Sequence, residues 1–223
     1  MELVEYPDRE LMMISLADRL GSELATAVRG KDSVSFCVPG GTTPGPVFDT
    51  LSGINIDWDR VTVFLSDERW LPETHERSNA RLVRQRLLTG RAAAATFVPF
   101  YAGTAEPEAA LDVLAEALSP HLPIDVLLLG MGADMHTASL FPGADRLAEA
   151  LAPDAPVLVA LRAPGAGEPR VTLTARVLAD AMACHILITG KDKRAALDRA
   201  QGLSPEQAPV KAVLANATVH WAE

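Results

Sequence analysis

IDVLLLGMGADMHTASLFPG, residues 124–143, decides how the rest of the chain is read. The opening run IDVLLLG is the most continuous apolar run in the chain, as expected of a central strand buried on both faces. It ends in two closely spaced glycines, Gly130 and Gly132, and a Pro-Gly turn follows at residues 142–143. Between these breaks an acid, Asp134, and an imidazole, His136, stand two residues apart, just where a strand stops and a helix is due.

On the N-terminal side, residues 8–29 carry a helical stripe of Leu11, Ile14, Ala17, Leu20, Leu24 and Val28. SVSFCV (33–38) reads as a strand, PGGTTPGPVFDTL as a glycine-rich turn entering a helix near Pro44, and VTVFLS (61–66) as a second strand. A basic helix is expected around 78–89, a strand at FVPF (97–100) and an amphipathic helix over 106–118. On the C-terminal side, strands are expected at 156–161, 185–189 and 217–221, separated by helices near 172–182 and 191–200. AAAAT (92–96) and APGAGEP (163–169) read as loops. Alternating strands and helices predict a mostly parallel, Rossmann-like sheet with helices on both faces. With 223 residues, no internal repeat and no linker, one domain over 1–223 is expected.

The composition, 48% apolar and 22% charged, is that of a globular protein. A net charge of −9 argues against nucleic acid or an anionic membrane as partner. No apolar run is long enough to span a bilayer, and MELVEYPDRE lacks the features of a signal peptide, so a cytoplasmic protein is expected. Cys37 and Cys184 lie in strand-like runs and read as reduced core thiols.

Open α/β sheets bind ligands beyond the carboxyl ends of their strands, where the strand order reverses. That rule singles out 39–45, 66–70 and 130–136. In PGGTTPG, Gly40 and Gly41 let backbone approach a ligand, and Thr42 and Thr43 add hydroxyls at a helix start. The pattern suits phosphate but is not a Walker loop, which requires a lysine. The bland alternative is a tight turn with Thr43 as its cap. In SDERW, Asp67 can orient an imidazole or accept a proton and Arg69 can grip an oxyanion, while Trp70 reads as a wall. A solvated loop of local ion pairs is the alternative.

In the opening stretch Met135 stands where a dinucleotide loop needs its third glycine, and TASLF lacks the glycines of a nucleophile elbow. The five histidines show no zinc-ligand spacing, so no metal is expected. His185 reads as a satisfied core residue. His136, in a glycine-bounded tip, can accept and return a proton near neutrality. Either Asp134 or Asp67 can serve as its acid partner, and the sequence leaves that choice open.

The order PGGTTP, SDERW with a later SN, GMGADMHTASLFPG, PRVTLT and TGKDK resembles the 6-phosphogluconolactonase family, over about residues 33–197. That family is related to the glucosamine/galactosamine-6-phosphate isomerases, so the resemblance implies a three-layer α/β/α fold. It also implies cofactor-free hydrolysis of 6-phospho-D-glucono-1,5-lactone in the oxidative pentose phosphate pathway. His136 is then the base acting on water, Asp134 the acid of its motif, and Asp67 a strand-end acid of the same pocket. Gly40, Gly41, Thr42 and Thr43 match the phosphate loop, and Arg69, Arg170 and Lys193 match cations holding phosphate or ring oxygens. Lys191 and Arg194 fall off that register. Met135 replaces the family's usual glycine, and a positive φ there implies about 1–2 kcal/mol of strain. The rival within the same superfamily, an amino-sugar-phosphate isomerase or deaminase, has a further acid shortly after the histidine. None occurs in Thr137–Pro142. A non-catalytic sugar-phosphate sensor is the rival of another class, and no helix-turn-helix segment or basic arm supports it.

Overall fold

The computed structural model describes all residues, 1–223. Seven strands form one parallel sheet: β1 (Glu2–Glu5), β2 (Val34–Val38), β3 (Val61–Leu65), β5 (Thr96–Val98), β6 (Val126–Gly130), β9 (Ala183–Thr189) and β10 (Ala217–Ala222), in the order β1-β10-β9-β6-β2-β3-β5. A second, antiparallel sheet joins β4 (Asp67–Arg69), β8 (Arg170–Leu173) and β7 (Leu158–Leu161). The helices are α1 (Arg9–Gly30), α2 (Gly45–Leu51), α3 (Asn79–Arg86), α4 (Leu111–Leu118), α5 (Leu147–Leu151), α6 (Ala175–Ala179), α7 (Lys191–Ala200) and α8 (Lys211–Leu214). None is long and apolar enough to cross a membrane.

The topology sets where a ligand can sit. From β1 through β2 and β3 to β5 the chain steps one way along the sheet; from β6 through β9 to β10 it steps the other way. Right-handed crossovers therefore send α1, α2 and α3 to one face, where they pack on one another, and the later helices to the opposite face. The result is a three-layer α/β/α arrangement. The reversal falls between the neighbours β2 and β6, whose carboxyl ends lead into Pro39–Gly41 and Gly130–Gly132.

Every residue of β2 and β3 is buried, Ser35 and Thr62 included, as a doubly covered sheet requires. Cys37 and Cys184 are buried there, and burial pushes the Cys184 thiol up to about 12. The expected helical stripe needs one correction. Met12, Met13, Leu16, Ala17, Leu20, Leu24 and Val28 face the core, whereas Leu11 and Ile14 are 45% and 49% exposed. At about 100° per residue, Leu11 lies half a turn from Leu20 and cannot share its face.

Two further differences concern strands. β1 is an edge strand too short and polar to show periodicity, and pairing with β10 alone defines it. The helix expected near 172–182 is shorter and preceded by a strand: Arg170–Leu173 pairs with Asp67–Arg69, and α6 begins only after Thr174. A polar tip after β3 thus becomes a buried strand because β8 supplies its hydrogen-bond partners.

Candidate active site

The loops after β2, β3 and β6, with β8 and the first turn of α7, enclose a cavity of about 190 Å³ at the switch point. Each candidate side chain is set by its element. Gly40 follows β2 and passes so close to Asn79 that a Cβ there would lie 1.9 Å from Asn79 Oδ1. Asn79 in turn donates to the Asp67 carbonyl at 2.8 Å, tying the α3 start to β4. The fully buried Glu68 holds that start in place by accepting from the backbone of Arg69, Asn79 and Ala80 and from the Ser78 hydroxyl. Burial nonetheless raises the Glu68 carboxyl above its ordinary range.

Asp67 is buried and its carboxylate is committed. Ser66 Oγ donates to Oδ1 at 3.0 Å, Ser139 Oγ to Oδ2 at 2.6 Å, and Arg170 lies 4.0 Å away. The acid partner of His136 is Asp134, whose Oδ1 lies 2.5 Å from Nδ1. The hydrogen bond from His136, outweighing partial burial, holds the Asp134 carboxyl below its usual value. An ionised Asp134 accepts a hydrogen bond from Nδ1–H of the neutral imidazole, which leaves the Nε2 lone pair free on a ring that lines the cavity. Gly132 makes this pairing possible, since a Cβ there would lie 2.2 Å from His136 Nδ1 and 2.3 Å from Asp134 Oδ1.

The cations gather in the same cavity. Arg69 and Arg170 are directly opposite each other across β4 and β8, so two positive side chains share one face. Each has a buried Nε without a hydrogen-bond partner. Burial lowers the Arg170 pKa, against the opposing pull of Asp67. Like charges held side by side with unused donors form a ready-made anion site. Lys193 comes from the first turn of α7; burial lowers its pKa, and the nearby Asp134 partly offsets that.

Of the residues expected from sequence, Gly40, Gly41, Thr43, Asp67, Arg69, His136, Arg170 and Lys193 line the cavity. Asp134 stands behind His136. Thr42 is exposed and borders a neighbouring depression with Arg9 and Thr189 rather than the cavity itself. Lys191 and Arg194 pair with Glu223, and with Asp198 and Glu5, away from it. Asn79, the second residue of SN, and Ser139, within TASLF, carry roles that the sequence does not assign, because their side chains act through a backbone carbonyl and a carboxylate on a distant segment. Backbone strain concentrates beside the imidazole, with φ of 66° at Met135 and 49° at Ala138.

Fold and cavity together define a doubly wound α/β protein with a strand-end cleft built for a small, anion-bearing ligand. The chain belongs to the family of glucosamine-6-phosphate isomerases/6-phosphogluconolactonase, which matches residues 7–221. It is 44% identical to the 6-phosphogluconolactonase of Mesorhizobium japonicum, over 94% of this chain and 88% of the relative, and 42% identical to that of Rhizobium meliloti, over 93% of each. Among solved structures it resembles a 6-phosphogluconolactonase from Shewanella baltica, with a TM-score of 0.96 and 33% identity over 100% of this chain and 98% of the other. A monomeric glucosamine-6-phosphate deaminase shares the fold at a TM-score of 0.83 and 16% identity, covering 99% of this chain and 97% of the other.

Proposed function

We propose that the chain hydrolyses 6-phospho-D-glucono-1,5-lactone to 6-phosphogluconate, a step of the oxidative pentose phosphate pathway. The observation carrying this reading is that the Asp134–His136 pair opens onto the same cavity as the opposed Arg69 and Arg170. A phosphomonoester near −2 gains nothing from a chain of net charge −9, so local cations must bind it. Arg69, Arg170 and Lys193, with the backbone of Gly40 and Gly41, hold phosphate and ring oxygens and so orient the lactone carbonyl.

His136 Nε2 takes a proton from water as the water oxygen bonds to the lactone carbon, and the carbonyl becomes an oxyanion. Asp134 stabilises the imidazolium that forms. Collapse of the oxyanion breaks the bond to the ring oxygen, which receives the proton from Nε2. The products are the ring-opened hydroxyl and a carboxylic acid that ionises in water. A charged sugar phosphate does not cross a bilayer unaided, so we place the activity in the cytoplasm.

The test is turnover of freshly generated lactone above its spontaneous hydrolysis, with glucosamine 6-phosphate in parallel. Wild type should accelerate lactone hydrolysis alone. His136→Ala should lose about 100-fold or more in kcat while still binding 6-phosphogluconate. Wild-type turnover of the amino sugar instead, or full activity in the variant, overturns the reading.

A further inference from the structure

Phe141 touches both ends of the chemistry. Its ring centroid lies 4.2 Å from that of His136, with the planes inclined by 34°, and the Arg170 guanidinium carbon lies 5.2 Å from the same centroid. Its backbone is fixed. Thr137 bridges to the fully buried Leu140, Thr137 Oγ1 donates to the Gly130 carbonyl at 2.9 Å, and the Phe141 carbonyl accepts from Ala144 at 3.1 Å.

We infer that Phe141 is a positioning residue whose ring sets the plane of the His136 imidazole, favours its protonated form and seats the Arg170 guanidinium. One hydrogen bond, from Nδ1 to Asp134, fixes a point on the imidazole but leaves the ring free to swing about it. The face of Phe141 removes that freedom. An aromatic face attracts cations, so it favours the imidazolium formed when His136 takes a proton from water, and it already carries Arg170. The charged groups around the imidazole are Asp134, bonded to it on its own loop, and, lining the same cavity, Asp67 and Arg69 on β4, Arg170 on β8 and Lys193 on α7; Phe141 is its aromatic contact.

The inference rests on the proposed hydrolysis, but its first readout does not. The His136 imidazole, identified by loss of its signal in His136→Gln, is titrated by proton NMR without substrate. Phe141→Leu, or Phe141→Met should the first variant not fold, is expected to lower its pKa by about half a unit, and Phe141→Tyr to leave it unchanged. With lactone, the acid limb of kcat/KM should move down by the same amount, with KM raised as well through Arg170. Tyrosine should restore both. An unmoved imidazole pKa in the non-aromatic variants, or an equal loss in Phe141→Tyr, overturns the inference. Failure of wild type to hydrolyse lactone bears on the proposed function and leaves the NMR result standing.

Discussion

Gly132 and His136 are in mutual contact to the exclusion of any side chain at position 132: an added Cβ would lie 2.2 Å from the imidazole Nδ1. The two residues are held by one backbone hydrogen bond as well, from Gly132 N to the His136 carbonyl at 3.0 Å. Gly132→Ala should therefore displace the imidazole and Asp134, which can swing outward, while the fold persists. The expected outcome is a loss of about 100-fold in kcat with thermal unfolding shifted by only a few degrees. Circular dichroism and lactone turnover on the same sample check both halves.

Met135 adopts the left-handed backbone at φ 66°, a conformation costing about 1–2 kcal/mol for an L-residue. Glycine would relieve that strain. It would also free the unfolded chain, by about 0.5–1 kcal/mol, and forgo the packing of a half-buried thioether. Met135→Gly should thus stay within about 1 kcal/mol of wild type. Met135→Val places a β-branched residue in the same backbone and should be destabilised by more than 1 kcal/mol, about as a true outlier demands. Urea unfolding ranks the three.

Glu68 is a structural carboxylate beside the site. Removing it in Glu68→Ala orphans the backbone N–H of Arg69 on β4 and those of Asn79 and Ala80 at the start of α3. A loss of about 2–4 kcal/mol in stability is expected. Because Asn79 anchors Asp67, activity should fall too. Full stability in this variant would remove the carboxylate from its capping role.

His220 is fully buried, within a hydrogen-bonded chain from Glu23 through His185 and His220 to Tyr6. Burial first, then the neighbouring His185, push its pKa down to about 3. The unfolded chain takes up a proton near pH 6.5 that the folded chain refuses. This contribution is complete above pH 6.5 and is lost as pH falls toward 3, at up to about 1.4 kcal/mol per pH unit. Urea denaturation at pH 7, 6, 5 and 4 should show that slope, and His220→Gln should flatten it.

Lys193 and Arg170 differ in their surroundings, and their variants should differ accordingly. Lys193 has Asp134 as its charged neighbour, whereas Arg170 faces Asp67 and Arg69. Either alanine variant should raise KM about tenfold or more, the loss of one charge-assisted contact. Arg170→Ala should in addition destabilise the fold, since it uncovers the buried Asp67. Steady-state kinetics with thermal unfolding separate the two.

Much of this protein was decided locally. β2, β3, β6 and β9 are covered on both faces, so they appear in the sequence as predominantly apolar runs, and the polar tips that follow them mark the ligand edge of the sheet. The Asp134–His136 spacing and the glycines around it were equally legible, because a backbone that must pass beneath an imidazole leaves its mark in the residue type. Other features depended on chain segments meeting. Arg69 faces Arg170 only because a three-residue strand finds a partner a hundred residues on, and strands so short carry no periodicity of their own. Ser66 and Ser139 occupy the Asp67 carboxylate and leave Asp134 as the acid partner of His136, a choice that only the meeting of three segments makes. Periodicity records which face of an element is dry. Which side chains meet across the cleft is set by pairings between distant segments, and those exist only once the sheet has assembled.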